Sequence, residues 1–354
     1  MGNNSEIPPS FLQMMPWNSE EGAILTASSM HLRRNLARHN FPSKLQGPEM
    51  EQVLQALKDA FSTCPDLPNS KFYSQKDLKV SDRELIFEHF HFLHGFTDPP
   101  NGAGMVIDEK GLFLGLINGT NHLEMHSLNL NGQLETTWNH LSHIESHIGK
   151  AVDFAFTPKF GYLTSELWDC GTGLTVNAYL HLPALILSNQ IESALKNAQD
   201  EEVSFFTLTG NLQELIGDLI IVQNNFTLGV TEESILHALQ MAVTKLSGAE
   251  KTMRNHLKQE ENIKIKDQIS KGFGLLVHSI QLETKEALDL LSLMKLGVAL
   301  GYVTNVSDQK LSELFFKSRR GHLVHLFPEL KDIKEIGHKR AQFLKQELQG
   351  ISLK

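Results

Sequence analysis

Histidine spacing is the first feature of this sequence that could support chemistry, because the chain contains 17 histidines. His140, His143 and His147 recur at i, i+3 and i+7 beside Glu145, so their side chains would share one face of a helix. Imidazole and carboxylate groups that converge in this way can bind a metal ion. The same stripe flanks the apolar face of the predicted helix, and a solvated polar face explains it without a ligand. We therefore predict no metal site.

A second group of histidines, His89, His91 and His94, lies earlier in the chain. His89 and His91 alternate with Phe90 and Phe92, a pattern typical of a strand with both imidazoles on one face. We interpret the two histidines as a partly buried structural pair. A ligand-binding pair is the alternative.

Glycines are concentrated in Cys170-Gly171-Thr172-Gly173-Leu174, which is predicted to precede a helix. Backbone N–H groups of such a segment can hold a phosphate. The segment lacks the Gly-Lys-Ser/Thr ending of a P-loop and the strand, GxGxxG, helix order of a dinucleotide site. By itself it indicates a turn.

Short strands and amphipathic helices must position these side chains. The predicted strands are Gly104–Ile107, Gly111–Asn118, His122–Leu130, Val203–Thr209 and Leu219–Thr227. The predicted helices are Leu134–Ile148, Asn177–Ser188, Glu232–Gly248, Glu283–Leu300 and about Asp332 to Leu348. This mixture favours an α+β fold over a strict βαβ repeat.

The amino-acid composition is typical of a globular protein and excludes several other classes. The chain has 354 residues, 41% of them hydrophobic, which excludes a disordered or disulfide-stapled protein. A formal charge of −9 is the wrong sign for a nucleic-acid binder. The two distant cysteines, Cys64 and Cys170, fit a reducing compartment. We find no secretory signal and no apolar run long enough to cross a membrane, so we expect a cytoplasmic protein without a membrane partner.

Three regions are predicted along the chain. Residues 1–22 contain Pro8, Pro9 and Pro16 and are expected to form a loose, flexible arm. Residues 23–254 are expected to form the α+β domain. The character changes to charged and helical after about Gly248, so we place a helical C-terminal domain at 255–354, with the boundary inside a charged helix.

Three sequence blocks carry a resemblance to a known family: Gly161-Tyr162-Leu163-Thr164-Ser165, Gly171-Thr172-Gly173-Leu174 and His181-Leu182-Pro183-Ala184-Leu185. Together they resemble the signature of the phosphagen kinase superfamily, and within it the McsB-type bacterial protein arginine kinases. Further matches keep the order and spacing of that family. They include Arg34-Asn35-Leu36, Phe41-Pro42, Asn118, His122, Asp153-Phe154-Ala155-Phe156, Asn224 and Thr227-Leu228-Gly229. The resemblance spans about residues 23–348.

The resemblance implies an antiparallel sheet flanked by helices that holds ATP, joined to a helical C-terminal domain that supports dimerisation and binds phosphoarginine. It also implies Mg–ATP as the cofactor of an active enzyme. Arginines clamp the nucleotide phosphates in such enzymes, and a glutamate positions the guanidinium group of the substrate. Catalysis of this kind depends on positioning and charge neutralisation.

The catalytic side chains of the family are replaced in this sequence. The five phosphate-facing arginines correspond to Ser29, His31, Glu124, Thr175 and Phe206. The two glutamates correspond to Thr120 and Asn211, and the cysteine of the guanidine-side loop corresponds to Glu166. We therefore expect that no catalytic residue is retained.

Other family positions are kept. The resemblance implies that Arg34, His122 and His89 line a vestigial nucleotide pocket. In the C-terminal Arg-Asp-x-x-Arg-Ala motif of the family, Arg340 and Ala341 alone match, so Arg340 is the candidate for a phosphoarginine pocket. Surface charge on the predicted C-terminal helix is the alternative interpretation of Arg340.

The sequence thus predicts a protein-arginine-kinase-like pseudokinase that acts through protein–protein contacts. One alternative is an active protein arginine kinase with a rebuilt pocket that uses His31, His89 and lysines, and another is a phosphoarginine-binding module that uses Arg340. By resemblance, the partners would be a zinc-containing activator protein, a Clp-type unfoldase or a second copy of the chain.

Overall fold

The computed structural model describes residues 17, 20, 22–74, 77–90, 102–130, 133–210, 214–260, 262–330 and 333–354. The strands are, in chain order, β1 (Leu25–Arg34), β2 (Lys71–Ser74), β3 (Gly104–Ile107), β4 (Phe113–Ile117), β5 (Leu123–Asn129), β6 (Phe156–Thr157), β7 (Gly161–Tyr162), β8 (Leu174–His181), β9 (Val203–Phe206), β10 (Leu219–Asn224), β11 (Val303–Thr304) and β12 (Ser352–Leu353). The main sheet has the strand order β2-β3-β4-β5-β1-β8-β10-β9. Two short antiparallel pairs, β6 with β7 and β11 with β12, lie outside it.

The helices alternate with these strands at first and then follow one another towards the C-terminus. They are α1 (Gly47–Ser62), α2 (Val80–Phe90), α3 (Leu134–Ala151), α4 (Pro183–Leu187), α5 (Ile191–Ala198), α6 (Glu232–Glu260), α7 (Ile263–His278), α8 (Thr284–Leu300), α9 (Asp308–Lys317), α10 (Arg320–Leu326) and α11 (Ile336–Glu347). None of the helices in these described ranges combines the length and the apolar character that crossing a membrane requires.

The predicted α+β fold, with an antiparallel sheet flanked by helices and a helical C-terminal region, is confirmed. The helix predicted over Glu283–Leu300 is α8, and Gly301 ends it with a φ of +80°, a left-handed conformation that glycine adopts readily. The strands predicted around residues 104–130 are β3, β4 and β5.

The helix predicted over Asn177–Ser188 is wrong. Leu174–His181 is β8, in which every residue is buried, and Pro183 begins the short helix α4. Apolar residues in this segment alternate with Thr175, Asn177 and His181 at the strand period, a pattern that the helical prediction overlooked. The glycine-rich segment therefore precedes a strand and not a helix.

The strand predicted around His89 is also wrong, because His89 lies in α2. The buried residues of this helix, Leu85, Ile86, His89 and Phe90, recur at helical spacing. The alternation of His and Phe predicted a strand, but its first two residues, His89 and Phe90, are the last two of α2. His91 and His94 lie outside the described residues.

The chain divides into two compact units that are not contiguous in sequence. Among the described residues, one unit comprises Ser28–Asn177 and Asn224–Leu239, and the other comprises Trp17–Ala27, Ala178–Gln223 and Gln240–Lys354. The boundary predicted near residue 255 falls inside α6, which runs without a break. The domains at 23–254 and 255–354 remain predictions, and the predicted arm at 1–22 lies almost entirely outside the described residues.

In the first unit, helices cover both faces of the sheet. Phe90 of α2 belongs to a core cluster with Leu114, Leu116 and Leu128, which point to one face. Phe61 of α1 lies against Gly115, which alternates with Leu114 and Leu116, so α1 covers the other face. The helix α3 contacts both α1 and β5.

The second unit is mainly helical and contains buried polar groups that are paired. Glu250 of α6 is fully buried and accepts hydrogen bonds from the backbone N–H groups of Ala184 and Leu185 at the start of α4. Arg254, one turn later, donates to Glu250 at 2.7 Å. The hydroxyl of Ser292 donates to the carboxylate of Asp218. These contacts satisfy charged groups that would otherwise be costly to bury.

Candidate functional site

One face of the sheet gathers four of the five positions at which the resemblance predicts a replaced arginine. The register of β1 and β5 places Arg33 opposite Glu124 and His31 opposite His126. Residues two apart on a strand share a face, so Ser29, His31 and Arg33 lie on the same side as Glu124 and His126. We call this the β1–β5 face.

The strand β8 adds two side chains to the β1–β5 face. Nη1 of Arg33 donates to Oγ1 of Thr175 at 2.8 Å, and Nδ2 of Asn177 donates to Oγ of Ser29 at 3.2 Å. Oγ of Ser29 also lies 3.2 Å from Nε2 of His31. Hydroxyl, amide and imidazole groups therefore contact one another where the family resemblance places arginines.

Arg33 is a site residue that the sequence analysis missed. Its Nε lies 3.4 Å from Oδ2 of Asp169, and its side chain is 19% exposed. Motif matching assigned the family arginine to Arg34 and passed over its neighbour. The signal was present in the alternation of β1, because Ser29 and His31 predict that Arg33 shares their face. No sequence pattern pointed to Asp169, which comes from a 3₁₀ turn at Leu167–Asp169.

His126 was also missed, although it lies two residues after Glu124 on the same strand. Its ring is 4.3 Å from that of His31, edge to face, and its side chain is 4% exposed. Burial, and then the charge of Arg33, lower the pKa of His126 to about 3. His126 is therefore neutral at pH 7, and neither of its ring nitrogens has a hydrogen-bond partner among the described residues.

Glu124 places a carboxylate on the β1–β5 face. Its Oε1 accepts a hydrogen bond from the backbone N–H of Asn121 at 3.0 Å. Burial raises the pKa of Glu124, and the guanidinium of Arg33 acts in the opposite direction. The face thus carries the Arg33 cation next to two carboxylates, those of Glu124 and Asp169.

The remaining predicted replacements are spread more widely. Thr120 is exposed in the loop between β4 and β5. Phe206 ends β9 in the second unit, and Glu166 is half-buried before the 3₁₀ turn. Asn211 lies outside the described residues.

Arg34 points to the opposite side of β1 from Arg33. Its guanidinium is buried, with Nε 2.8 Å from Oε1 of Glu145 on α3 and Nη1 2.9 Å from the carbonyl oxygen of Thr172. The guanidinium carbon stacks 3.4 Å from the ring centre of Tyr162. These contacts join β1 to α3 and to the glycine-rich segment, which is a structural role. The nucleotide role of Arg34 stays a prediction.

His122 is held by the backbone through both ring nitrogens. The N–H of Leu36 donates to Nδ1 at 3.0 Å, so Nε2 carries the proton and donates to the carbonyl oxygen of Asn40 at 2.9 Å. Burial lowers the pKa of His122 to about 4. Both nitrogens are in use, so neither remains to bind a nucleotide in this arrangement.

His89 and Arg340 are buried in separate surroundings. Nε2 of His89 lies 2.7 Å from the carbonyl oxygen of Gly111. Arg340 donates to the carbonyl oxygens of Ser318 and Leu282 at 2.7 and 2.6 Å, and to the hydroxyl of Thr284. The structure thus does not bring Arg340 to the surface as an open anion site, and its phosphoarginine role stays a prediction.

The histidines of α3 do not converge with other ligands. His140 and His143 are exposed, and His147 lies 3.1 Å from the hydroxyl of Thr63. Within the described ranges, no three His, Cys, Asp or Glu side chains are placed to hold a metal ion together.

The glycine-rich segment packs against the backbone at Tyr162 and at Thr227. Gly171 has a φ of +102°, and a Cβ there would lie 2.1 Å from the carbonyl oxygen of Thr227. Glycine is therefore required at this position. Gly171 also exchanges two backbone hydrogen bonds with Tyr162. These bonds use the amides of Gly171 and Tyr162 within the fold.

Two family descriptions match this chain in succession. Residues 52–253 match the ATP:guanido phosphotransferase, C-terminal catalytic domain, and residues 262–354 match the protein-arginine kinase McsB C-terminal domain.

Relatives and a solved structure agree with these matches. The protein-arginine kinase of Chlamydia pneumoniae is 32% identical over 337 residues, which is 93% of each chain. That of Halothermothrix orenii is 30% identical over 328 residues, covering 93% of this chain and 94% of the relative. The crystal structure of a lombricine kinase has a TM-score of 0.58 at 17% identity, covers 71% of this chain and 72% of that one, and so shows a common fold. The family and the phosphagen kinase fold expected from the sequence blocks are therefore confirmed: this chain belongs to the protein-arginine kinase family of ATP:guanido phosphotransferases.

Proposed function

We propose that this chain is a catalytically inactive member of the protein-arginine kinase family and acts by binding other proteins. One observation carries the proposal. On the β1–β5 face, Arg33 is already held by Asp169 and Thr175, and Glu124 lies directly opposite. The positive charge of this face is therefore matched by its own carboxylates.

These residues do not fit the phosphates of Mg–ATP. A triphosphate needs groups that hold oxygen atoms and neutralise several negative charges, and arginine does this with a planar, permanently charged fork. A neutral His126 supplies no positive charge, and Glu124, an acidic residue opposite Arg33, supplies none either. A single arginine aimed at the transferred phosphoryl group can contribute about 10³–10⁵ in rate, so the combined replacements remove most of the catalysis.

The partners follow from this proposal and from the family resemblance. We infer protein partners, of which an activator protein or a Clp-type unfoldase is the kind that the resemblance implies, and a second copy of the chain is a further candidate. The proposal also places the protein in the cytoplasm, without nucleic-acid or membrane partners. Mg–ATP is not a cofactor under this proposal.

A phosphotransfer assay tests the loss of catalysis. The purified chain is incubated with γ-labelled Mg–ATP and an arginine-rich protein, and acid-labile phosphate on arginine is measured. The Halothermothrix orenii relative serves as the positive control. We expect incorporation no higher than in a sample without enzyme.

Arg33 is the observation that favours the alternative of an active kinase with a rebuilt pocket, because it places a guanidinium on the β1–β5 face. Incorporation of phosphate that Arg33→Gln abolishes would overturn the proposal and establish this alternative. Arg38→Gln is the matched control, since the side chain of Arg38 is 84% exposed and pairs with Asp153 at the surface.

A further inference from the structure

We propose that an exposed apolar surface of the first unit is the docking site for a basic, apolar segment of a partner protein. This inference rests on the proposed protein-binding function and names the surface and the class of partner. We call it the aromatic surface. Its members and their exposed fractions are Phe156 (57%), Phe160 (44%), Leu167 (83%), Trp168 (72%), Phe226 (51%) and Leu228 (46%).

These six side chains come from three loops that the backbone ties together. The ring of Phe156 lies 5.4 Å from that of Tyr162, and Tyr162 is hydrogen-bonded to Gly171 in both directions. The hydroxyl of Thr227 donates to the carbonyl oxygens of Trp168 and Cys170 at 2.9 and 2.7 Å. The backbone therefore brings the segments that carry these six residues together. Exposed apolar side chains scattered singly are normal, whereas a contiguous group marks an interaction site.

The loops beneath the aromatic surface are held in one arrangement. Gly171 packs so closely on Thr227 and Leu228 that a Cβ would overlap their backbone. The hydroxyl of Thr164 donates to the carbonyl oxygen of Glu166 at 2.6 Å, immediately before Leu167. A partner would meet a preformed surface and would not incur the entropic cost of ordering these loops.

Charge around the aromatic surface selects the partner. Glu232 lies four residues after Leu228, at the start of α6. Glu166 precedes Leu167 directly. Lys159 adds a positive charge 5.0 Å from the ring of Phe160.

Other charges near the aromatic surface cancel in pairs: Arg33 with Asp169, Arg34 with Glu145, and Arg38 with Asp153. The balance of Glu166 and Glu232 against Lys159 is negative. Lysine or arginine side chains on a partner would complement it. A second copy of this chain is disfavoured, because it would bring the same acids together and carries a formal charge of −9.

The probe is a fluorescein-labelled 12-residue peptide of lysine and leucine. It lacks arginine, so its binding is independent of the substrate chemistry of the family. We expect saturable binding to the full chain by fluorescence anisotropy. The double variant Leu167→Ser, Trp168→Ser should weaken binding about tenfold or more, since buried aromatic anchors dominate interfaces. The double variant Glu166→Gln, Glu232→Gln should weaken it less, and mainly at low salt.

Ile280→Ser is the matched control, because Ile280 is a 77% exposed apolar residue of the other unit. It should leave binding unchanged, and thermal unfolding confirms that each variant is folded. Absence of binding to the unmodified chain, or an equal loss with Ile280→Ser, would overturn the docking site. If a peptide of glutamate and leucine bound as tightly as the lysine–leucine peptide, the proposal of a basic partner would be overturned.

Light scattering tests whether a second copy of this chain covers the aromatic surface instead. A dimer that Trp168→Ser converts to a monomer would show that a second copy covers the aromatic surface, against the proposal. Phosphotransfer to arginine would overturn the proposed function and leave peptide binding unaffected, so the two failures are distinguishable.

Discussion

Arg33 and Arg34 are consecutive residues on one strand, yet their surroundings differ completely. Arg34 faces α3, is buried, and is bonded to Glu145 and to the carbonyl oxygen of Thr172 while it stacks on Tyr162. Arg33 faces the other way, is partly exposed, and lies between Asp169 and Glu124. On the side of β1 that faces α3, Arg34 makes matched polar contacts on which the fold depends. The β1–β5 face holds groups that the fold tolerates, so its chemistry could change while the scaffold stayed the same.

Loss of Arg34 should change stability most. Arg34→Met should lower the free energy of unfolding by about 3–5 kcal/mol, because it leaves the carboxylate of Glu145 without its partner in a nearly buried site. Arg33→Met should cost about 1 kcal/mol or less, since that ion pair is more exposed. Urea denaturation of both variants measures the difference. Equal losses would show that Arg33 and Arg34 stabilise the fold to the same extent, contrary to their different burial.

Acid should destabilise the protein through its buried histidines. The pKa of His122 is about 4 in the folded chain, against 6.5 for an ordinary histidine, so the unfolded chain binds the proton more readily below pH 6.5. Stability from this group is complete above pH 6.5 and is lost as the pH falls towards 4. We expect a loss of about 2 kcal/mol between pH 7.5 and pH 5 from His122 alone.

The His122→Gln variant separates this contribution from those of other groups. Asp218 acts in the opposite direction, because burial raises its pKa to about 6 and acid then favours the folded state. Asp218 is present in both proteins, so its contribution cancels in the comparison. The variant should show a shallower loss of stability between pH 7.5 and pH 5, and His140→Gln, at an exposed position, should show the original slope. Identical slopes for all three proteins would contradict the buried, neutral His122.

Replacement of Glu124 should change stability least, and in the opposite direction to replacement of Glu145. Glu124→Gln should raise the free energy of unfolding at pH 7 by about 1 kcal/mol or less, because burial disfavours the ionised carboxylate. Glu145→Gln, the same change on α3, should lower it by about 2 kcal/mol through loss of a charged hydrogen bond to Arg34. Thermal unfolding of both variants measures the two changes in stability. Destabilisation by both substitutions would contradict the opposite signs expected for Glu124 and Glu145.

The sequence predicted correctly the helices that have a regular apolar spacing or a residue that ends them. The helix α8 was found from its amphipathic pattern and Gly301, and α3 from the recurrence of Leu141, Ile144 and Ile148. The strand β8 was not predicted, although Leu174, Val176, Ala178 and Leu180 alternate in it with more polar residues, because the helical spacing assigned to Asn177–Ser188 was extended across its end.

The site was predicted in part for a similar reason. Family blocks identified Ser29, His31, Glu124 and Thr175 as changed positions, and the structure brings these four to one face. Arg33 was overlooked because motif matching compares positions with a family and does not follow which side chains share a face of a strand. The role of Arg34 depends on Glu145, which is 111 residues away in sequence and becomes its neighbour only in the folded chain.

The most direct test of the central claim is a calorimetric titration of the purified, folded chain with Mg–ATP at moderate salt. The claim is that the β1–β5 face, with Arg33 held by Asp169 and opposed by Glu124, does not bind the nucleotide. We predict no saturable heat up to millimolar Mg–ATP and no rise in the unfolding temperature at that concentration. Saturable binding with a micromolar Kd, weakened by Arg33→Gln, would contradict it.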